Sequence, residues 1–270
     1  FDDAGQFVVV RRRVMGDADV AHPSLVAPSL QGVQLRSQID QVVYGDLFDH
    51  RALSRLVKGA DLIVNCAGDV RGISRNSFFR TNVCGLSNLL NHARKFNCNA
   101  GFLHISSIAA KNPGVSPYTF SKRRSEIILQ EAKNPVPWTI FRPPVVYGWG
   151  DREVLALLKM MRSGFFPVVG NGENRFSMLH VEDLARAVLD WVRSRNCQNR
   201  IYELDDGKAG GYSWMEIVQN MSRFYNRKIR VVPIPGPALY VPAYLNVFIH
   251  WVLRKPPMLS PGKVRELLGS

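Results

Sequence analysis

A chain of 270 residues with 46 % hydrophobic and 21 % charged residues has the composition of a folded globular protein, which excludes disorder and fibrous repeats. Its 35 Lys+Arg against 22 Asp+Glu leave a formal net charge of +13, a surplus that favours phosphate-bearing cofactors, acidic substrates or anionic lipid. The basic residues are scattered, the longest run is Arg11-Arg12-Arg13, and no zinc spacing or aromatic-interleaved basic patch accompanies them, so nucleic acid is not an expected partner.

Cys66, Cys84, Cys98 and Cys197 form no CxxC pair and lie in apolar or helical segments, the pattern of reduced, mostly buried thiols in a reducing, cytoplasmic compartment. No secretory signal opens the chain, and no uninterrupted apolar run of about 18 residues occurs. The most apolar stretch, Ala238–Leu253, is broken by Pro242, Asn246 and His250. It suits a helix at a membrane surface or over a substrate better than a span.

In chain order, Phe7–Val10 is β-branched and aromatic and reads as a buried strand, and Val42–Tyr44 reads the same way more weakly. A helical pattern follows at His50–Lys58, then a strand at Asp61–Asn65, a helix at Asn76–Lys95 and a strand at Gly101–Ile105. A helix at Tyr118–Ala132 and a strand at Trp138–Phe141 complete the regular part. Beyond it, prolines and glycines punctuate a less regular texture, with a helix returning at Val181–Val192, a strand at Ile201–Leu204 and a capping box at Ser213–Glu216. Continuously apolar strands separated by helices predict an α/β, Rossmann-type doubly wound parallel sheet with a smaller C-terminal substrate lobe. Ligands bind such sheets beyond the carboxyl ends of the strands, so the informative residues follow each apolar run.

Tyr118 and Lys122 stand four apart and share one face of a helix. A lysine beside a phenol stabilises the phenolate and makes it usable as an acid or base near neutrality. A bare Tyr-x-x-x-Lys is also what an ordinary solvated helix with one aromatic contains. Upstream, the strand ending at Ile105 runs into Ser106-Ser107, where a hydroxyl can meet a substrate oxygen, although a lone Ser pair also serves as a plain strand-to-loop cap.

Three segments together resemble the short-chain dehydrogenase/reductase superfamily: His104-Ile105-Ser106-Ser107, Pro117-Tyr118-Thr119-Phe120-Ser121-Lys122-Arg123-Arg124-Ser125-Glu126, and Arg142-Pro143-Pro144-Val145-Val146-Tyr147-Gly148. The likeness is to its extended and atypical branches, the nucleotide-sugar epimerases and dehydratases and the 3β-hydroxysteroid dehydrogenase-like enzymes. Asp46-Leu47, Asn65-Cys66-Ala67-Gly68, Asn82-Val83-Cys84-Gly85 and Gly170–Ala185 fall in the expected order. The resemblance implies Tyr118 as acid/base, Lys122 as its pKa-lowering partner bonding the nicotinamide ribose, and Ser107 as the group that orients the substrate oxygen. It implies a cofactor crevice lined by Asn65, Ala67 and Gly68, with Asp46 and Leu47 flanking the adenine and Pro143, Pro144 and Val146 near the nicotinamide. It implies no metal. His180 is expected to be a satisfied polar residue at a strand end rather than a substrate contact, and Tyr147 to pack.

An acidic residue at the end of the second strand of this fold suits NAD, whereas arginine suits the 2′-phosphate of NADP. Here Val10 is followed by Arg11, Arg12 and Arg13, which favours NADP over NAD. The family's opening strand and Gly-x-x-Gly-x-x-Gly turn are not found, and Phe1–Gln6 resembles the exit of the first helix, so the sequence is expected either to be trimmed or to be that of a degenerate member with no cofactor.

The expected organisation is a dinucleotide-binding core over residues 1–148, rejoined by 176–204, and a substrate lobe from 149–175 and 205–270. The expected function is an NAD(P)-dependent oxidoreductase or epimerase that uses Ser107, Tyr118 and Lys122 for hydride and proton transfer at a substrate hydroxyl or carbonyl carbon. Sugar nucleotide, sterol-like and ketone substrates stay open, as do a homodimer and peripheral contact with a membrane. Two rival readings are a non-catalytic structural or regulatory relative and a membrane-surface sterol or lipid dehydrogenase.

Overall fold

The computed structural model describes residues 43–70, 74–96, 100–131, 136–151, 153–169, 172–194, 199–252 and 261–268. The expected strand Phe7–Val10 and the arginines Arg11, Arg12 and Arg13 lie outside the described residues, as do Cys98 and Cys197. The described part divides into two compact units.

The first unit contains the described residues among 43–113, 117–142 and 185–203. Val43 and Tyr44 carry no strand pairing among the described residues, Val43 being buried and Tyr44 exposed. Helix α1 (His50–Val57) is started by the Asp49 carboxylate, which accepts from the backbone N–H groups of Arg51 and Ala52. It buries Ala52, Leu53, Leu56 and Val57, one stripe of its surface, against the core. Strand β1 (Leu62–Asn65) follows, then α2 (Arg75–Phe79), opened by a reciprocal capping box between Ser74 and Ser77. A six-residue π-helical stretch, Arg80–Gly85, interrupts the helix before α3 (Leu86–Phe96), so the single helix expected over Asn76–Lys95 has a widened turn at its centre. Strand β2 (Gly101–Ile105), helix α4 (Pro117–Gln130) and strand β3 (Trp138–Arg142) complete the pattern.

The chain then forms β4 (Val145–Tyr147), α5 (Glu153–Arg162), β5 (Phe165–Val169), β6 (Arg175–Phe176) and β7 (Met178–His180) of the second unit. Helix α6 (Val181–Ser194) returns it to the first, where β8 (Arg200–Glu203) adds to the sheet. The sheet is parallel throughout, in the order β1-β2-β3-β8, with Asn65 opposite His104, Ile105 opposite Phe141 and Arg142 opposite Glu203. β2 and β3 are buried almost end to end, as strands covered on both faces must be. Val43, Leu47, Leu53, Leu86, Leu90, Phe102, Leu129 and Ile140 form the core. Trp191 of α6 donates its indole N–H to Thr139 Oγ1 at 2.9 Å, which satisfies both buried polar atoms.

The second unit contains residues 114–116, 143–184 and 204–270. Residues 143–148 and 176–184, expected with the dinucleotide-binding core, belong here because β4 and β7 pair in parallel with each other, Val146 opposite Leu179. β6 pairs antiparallel with β9 (Tyr212–Ser213), which leads into α7 (Trp214–Phe224) through the expected Ser213–Glu216 capping box. β5 pairs in parallel with β10 (Arg230–Ile234), and Met161, Phe166, Val168, Val218 and Ile229 make a separate small core. Helices α8 (Tyr240–Val252) and α9 (Pro261–Leu268) end the unit. No described helix is long and apolar enough to cross a membrane.

Candidate active site

The carboxyl ends of β1 and β2 lie side by side because the strands are parallel and in register, Asn65 opposite His104. The segments Cys66–Gly68 and Ser106-Ser107 therefore emerge together, and α4 packs its Tyr118-to-Glu126 stretch beside them. The inward face of α4 is polar: Thr119, Ser121, Lys122, Ser125 and Glu126 are all buried. A face of that composition is stable only if its groups are hydrogen-bonded, and Ser121, Lys122, Ser125 and Glu126 are.

Lys122 is buried and donates from Nζ to the Ile105 carbonyl at 3.1 Å, immediately before the serine pair. Burial pushes its ammonium down to about 8, with Cys66 and Glu126 pulling the other way. A Cβ placed on Gly68 would lie 3.1 Å from Lys122 Nζ and 3.3 Å from Asn82 Oδ1. The loop thus brings bare backbone against the lysine, an approach that a side chain would crowd. That cradle, with a cation at its floor beyond two strand ends, fits the sugar-phosphate part of a dinucleotide.

Asn82, on the π-helical stretch, holds the other side of the cradle. Its Oδ1 accepts from Asp69 N at 2.6 Å, and its Nδ2 donates to Asp69 O at 3.0 Å and to Ser121 Oγ at 2.8 Å. Ser121 donates in turn to the Tyr118 carbonyl at 2.8 Å. The widened turn aims this amide across the helix toward α4. Tyr118 is half-buried and its ring lies 6.0 Å from that of Phe78, tilted by 60°.

The two serines have different surroundings. Ser106 is buried and donates to Glu126 Oε1 at 2.6 Å, so its hydroxyl is occupied in the core. Ser107 is half-buried and accepts from Ala109 N at 3.2 Å, capping the single-turn helix Ile108–Lys111. Its hydroxyl hydrogen is not committed by that bond.

Asn65, buried, accepts from Ala67 N at 3.2 Å and lies 3.1 Å from His104 Nδ1. Asp46 is exposed, its carboxylate accepting from Phe48 N at 2.7 Å. The Leu47 side chain is buried in the core, and its carbonyl accepts from Asn88 Nδ2 at 3.0 Å. Pro144 and Val146 belong to the second unit, Pro144 half-buried and Val146 in β4. In that unit His180 packs edge-on against Tyr147 at 5.2 Å and accepts from Glu182 N at 3.4 Å. Gly148, at φ +126°, leaves room for it, since a Cβ there would come within 2.8 Å of His180 Nε2. Cys66 and Cys84 are free thiols, as expected, but exposed rather than buried.

Tyr118, Lys122, Ser107, Asn65 and Gly68 are site residues expected from the sequence, whereas His104, Asn82, Ser125, Glu126 and Arg142 carry no expected role. The available signal was the spacing on α4, where Lys122, Ser125 and Glu126 repeat on one helical face.

A family model described as the NAD dependent epimerase/dehydratase family matches residues 6–204. The chain is 34 % identical over 229 residues to the ceramide reductase of Caulobacter vibrioides, covering 84 % of this chain and 70 % of that protein. It is 27 % identical over 245 residues to the N-acetyl-alpha-D-glucosaminyl-diphospho-ditrans,octacis-undecaprenol 4-epimerase of Escherichia coli O157:H7, covering 84 % of this chain and 73 % of that protein. Among solved structures, MoeE5 in complex with UDP-glucose and NAD superposes with a TM-score of 0.62 at 18 % identity, over 71 % of each chain.

Proposed function

From the premise that the chain belongs to the NAD dependent epimerase/dehydratase family, we propose that it is a nicotinamide-dependent reductase whose substrate carbonyl is carried on a membrane lipid. The observation that carries the catalytic part is Lys122: buried, bonded to the Ile105 carbonyl, and lying against the backbone of Gly68 one helical turn from Tyr118. When bound, the dinucleotide supplies the hydride.

The chain's own residues manage the proton and the geometry. Tyr118 delivers its phenolic proton to the substrate oxygen as that oxygen gains electrons from the carbonyl π bond. The Lys122 ammonium favours the phenolate left behind, which lowers the cost of the transfer. Ser107 orients the reacting oxygen through its hydroxyl. Asn65, Ala67 and Gly68 line the cofactor cradle, with Asp46 and Leu47 at the adenine end. Arg11 and Arg12 select the 2′-phosphate of NADP.

The lipid part rests on similarity and on surface chemistry. The relative at 34 % identity is named for reduction of a ceramide. In the second unit, α8 exposes Val241 (64 %), Tyr244 (63 %) and Leu245 (56 %), apolar side chains suited to a greasy substrate or the surface that delivers it. The runner-up is epimerisation of a lipid-linked sugar, favoured by the polyprenol-linked 4-epimerase at 27 % identity.

The test mixes the protein with NADPH and a ceramide oxidised to the ketone, and follows nicotinamide fluorescence. A reductase consumes the reduced cofactor in proportion to product, whereas an epimerase leaves it unchanged overall. Tyr118→Phe abolishes turnover while leaving cofactor affinity nearly unaltered; full activity in that variant overturns the assignment. Arg11→Ala weakens NADPH more than NADH, and an equal effect on both removes the basis for NADP.

A further inference from the structure

His104 sits at the fourth position of β2, fully enclosed, with β1 on one side and α4 above it. A buried polar ring must be satisfied by hydrogen bonds, so its two ring nitrogens carry the information. Nε2 lies 3.0 Å from Ser125 Oγ and Nδ1 lies 3.1 Å from Asn65 Nδ2. Ser125 spends its single hydroxyl hydrogen on the Lys122 carbonyl, 2.7 Å away. It can therefore only accept from His104, which puts the ring hydrogen on Nε2. Nδ1 is then an acceptor, and it meets an amide that can only donate. Asn65 Oδ1 accepts from Ala67 N, which orients the amide with its NH2 toward the ring. Burial, reinforced by the Lys122 ammonium, keeps the imidazole neutral.

The polarity of every bond in the series is thus determined. Ala67 N–H points to Asn65, Asn65 to His104, His104 to Ser125, and Ser125 to the backbone of Lys122. The far end of Lys122 returns to Ile105, the residue after His104. The loop that lines the cradle, the strand that leads to Ser107 and the helix that carries Tyr118 and Lys122 are tied through one ring.

We propose that His104 is a positioning residue, whose neutral Nε2–H tautomer sets the distance between the Asn65–Gly68 loop and the Tyr118–Lys122 turn of α4. This rests on the catalytic reading of Tyr118 and Lys122 given above. A Leu at 104 fills the volume but supplies neither donor nor acceptor, leaving the Asn65 amide and Ser125 without their partner. Gln supplies one acceptor and one donor and can rebuild both ties.

The experiment uses the full chain with NADPH and the turnover assay above, well below each variant's melting temperature. His104→Leu lowers kcat on the order of 10–100-fold and weakens NADPH several-fold, the scale of a misplacement of about 1 Å at a reacting centre. His104→Gln recovers both to within about threefold of the wild type on that scale, although a packing role alone predicts Leu to be the milder change. In parallel, the ring 15N shifts of His104 show the neutral Nε2–H form throughout pH 5 to 8. Unchanged kcat and NADPH affinity in His104→Leu, equal impairment in His104→Gln, or an Nδ1–H or protonated ring overturns the proposal. Should His104→Leu fail to fold, Ser125→Ala breaks the next link, and wild-type kcat in that variant overturns it equally. Tyr118→Phe is measured beside these: retained turnover there refutes the catalytic reading, while the NADPH affinities and 15N shifts still judge His104.

Discussion

Glu126 and Arg142 face each other inside the first unit as a two-pronged ion pair, Arg142 Nη2 to Oε2 at 2.6 Å and Nε to Oε1 at 2.9 Å. Glu126 has no solvent exposure, and it also accepts from Ser106 Oγ at 2.6 Å and Arg123 Nη1 at 3.2 Å. The pairing holds the Arg142 guanidinium above its ordinary pKa. One carboxylate thereby fixes the end of β3, the first serine after β2 and the body of α4, and it leaves Ser107 as the serine not drawn into the core.

Glu126→Ala should destabilise the protein by about 3–5 kcal/mol, because it leaves the buried side of Arg142 unpaired and only Glu203 near the surface to face it. The midpoint of urea unfolding measures it. Glu126→Leu combined with Arg142→Met should recover most of that loss, since a buried pair taken out together removes both desolvation costs. Glu203, which meets Arg142 Nη1 at 3.3 Å and Lys111 at 3.0 Å from a half-exposed position, is worth much less. Glu203→Gln should cost under about 1 kcal/mol.

His104 makes acid stability a local property. Burial lowers its pKa from 6.5 to about 3, so below pH 6.5 the unfolded chain takes up a proton that the folded chain refuses. The contribution of the neutral ring is complete above pH 6.5 and is lost progressively as pH falls toward 3. At pH 5 the loss amounts to about 2 kcal/mol. Between pH 7 and pH 5 the wild type should therefore lose about 2 kcal/mol more than His104→Gln in urea unfolding, and equal losses would show that the ring is hydrated.

The strands of the sheet were legible because Leu62–Asn65, Gly101–Ile105 and Trp138–Arg142 are short, mostly apolar runs, the last two buried on both faces. That Tyr118 and Lys122 share one helix was legible because they stand four residues apart in a helical pattern. The rest of the site is not local. Thr119, Ser121, Ser125 and Glu126 form a polar stripe that, judged by periodicity alone, belongs in water. Ser121, Ser125 and Glu126 are inside because they meet partners 16 to 39 residues away, Asn82, His104 and Arg142. The widened turn at Arg80–Gly85 was illegible for the same reason, since its use is to aim Asn82 at α4. The division at Arg142/Pro143 follows from the pairing of β4 with β7, which no spacing between them announces.

Gly85 closes the π-helical stretch against the core. A Cβ there would fall 2.5 Å from Leu47 Cδ1 and 2.9 Å from Leu47 Cβ, and Leu47 is itself enclosed. Gly85→Ala should destabilise by about 1–3 kcal/mol through overpacking. Leu47→Ala should relieve part of that strain, so the two substitutions together should cost less than their sum. A strictly additive double-mutant cycle in thermal unfolding would mean that the helix shifts away from Leu47 instead.

Lys122 gives the opposite pH signature to His104. Burial lowers its pKa from 10.5 to about 8, against the pull of Cys66 and Glu126, so above pH 8 the folded chain releases a proton that the unfolded chain keeps until about 10.5. Stability should therefore rise across that interval, by an amount on the order of 2–3 kcal/mol, as the cost of enclosing the ammonium is relieved. Lys122→Met has no such proton to release. Subtracting its unfolding free energies from those of the wild type at pH 7.5, 8.5, 9.5 and 10 isolates the lysine from the other groups that titrate there. The difference should climb with pH. A flat difference would place the ammonium in water, and a solvated cation one helical turn from Tyr118 has little electrostatic leverage on the phenol.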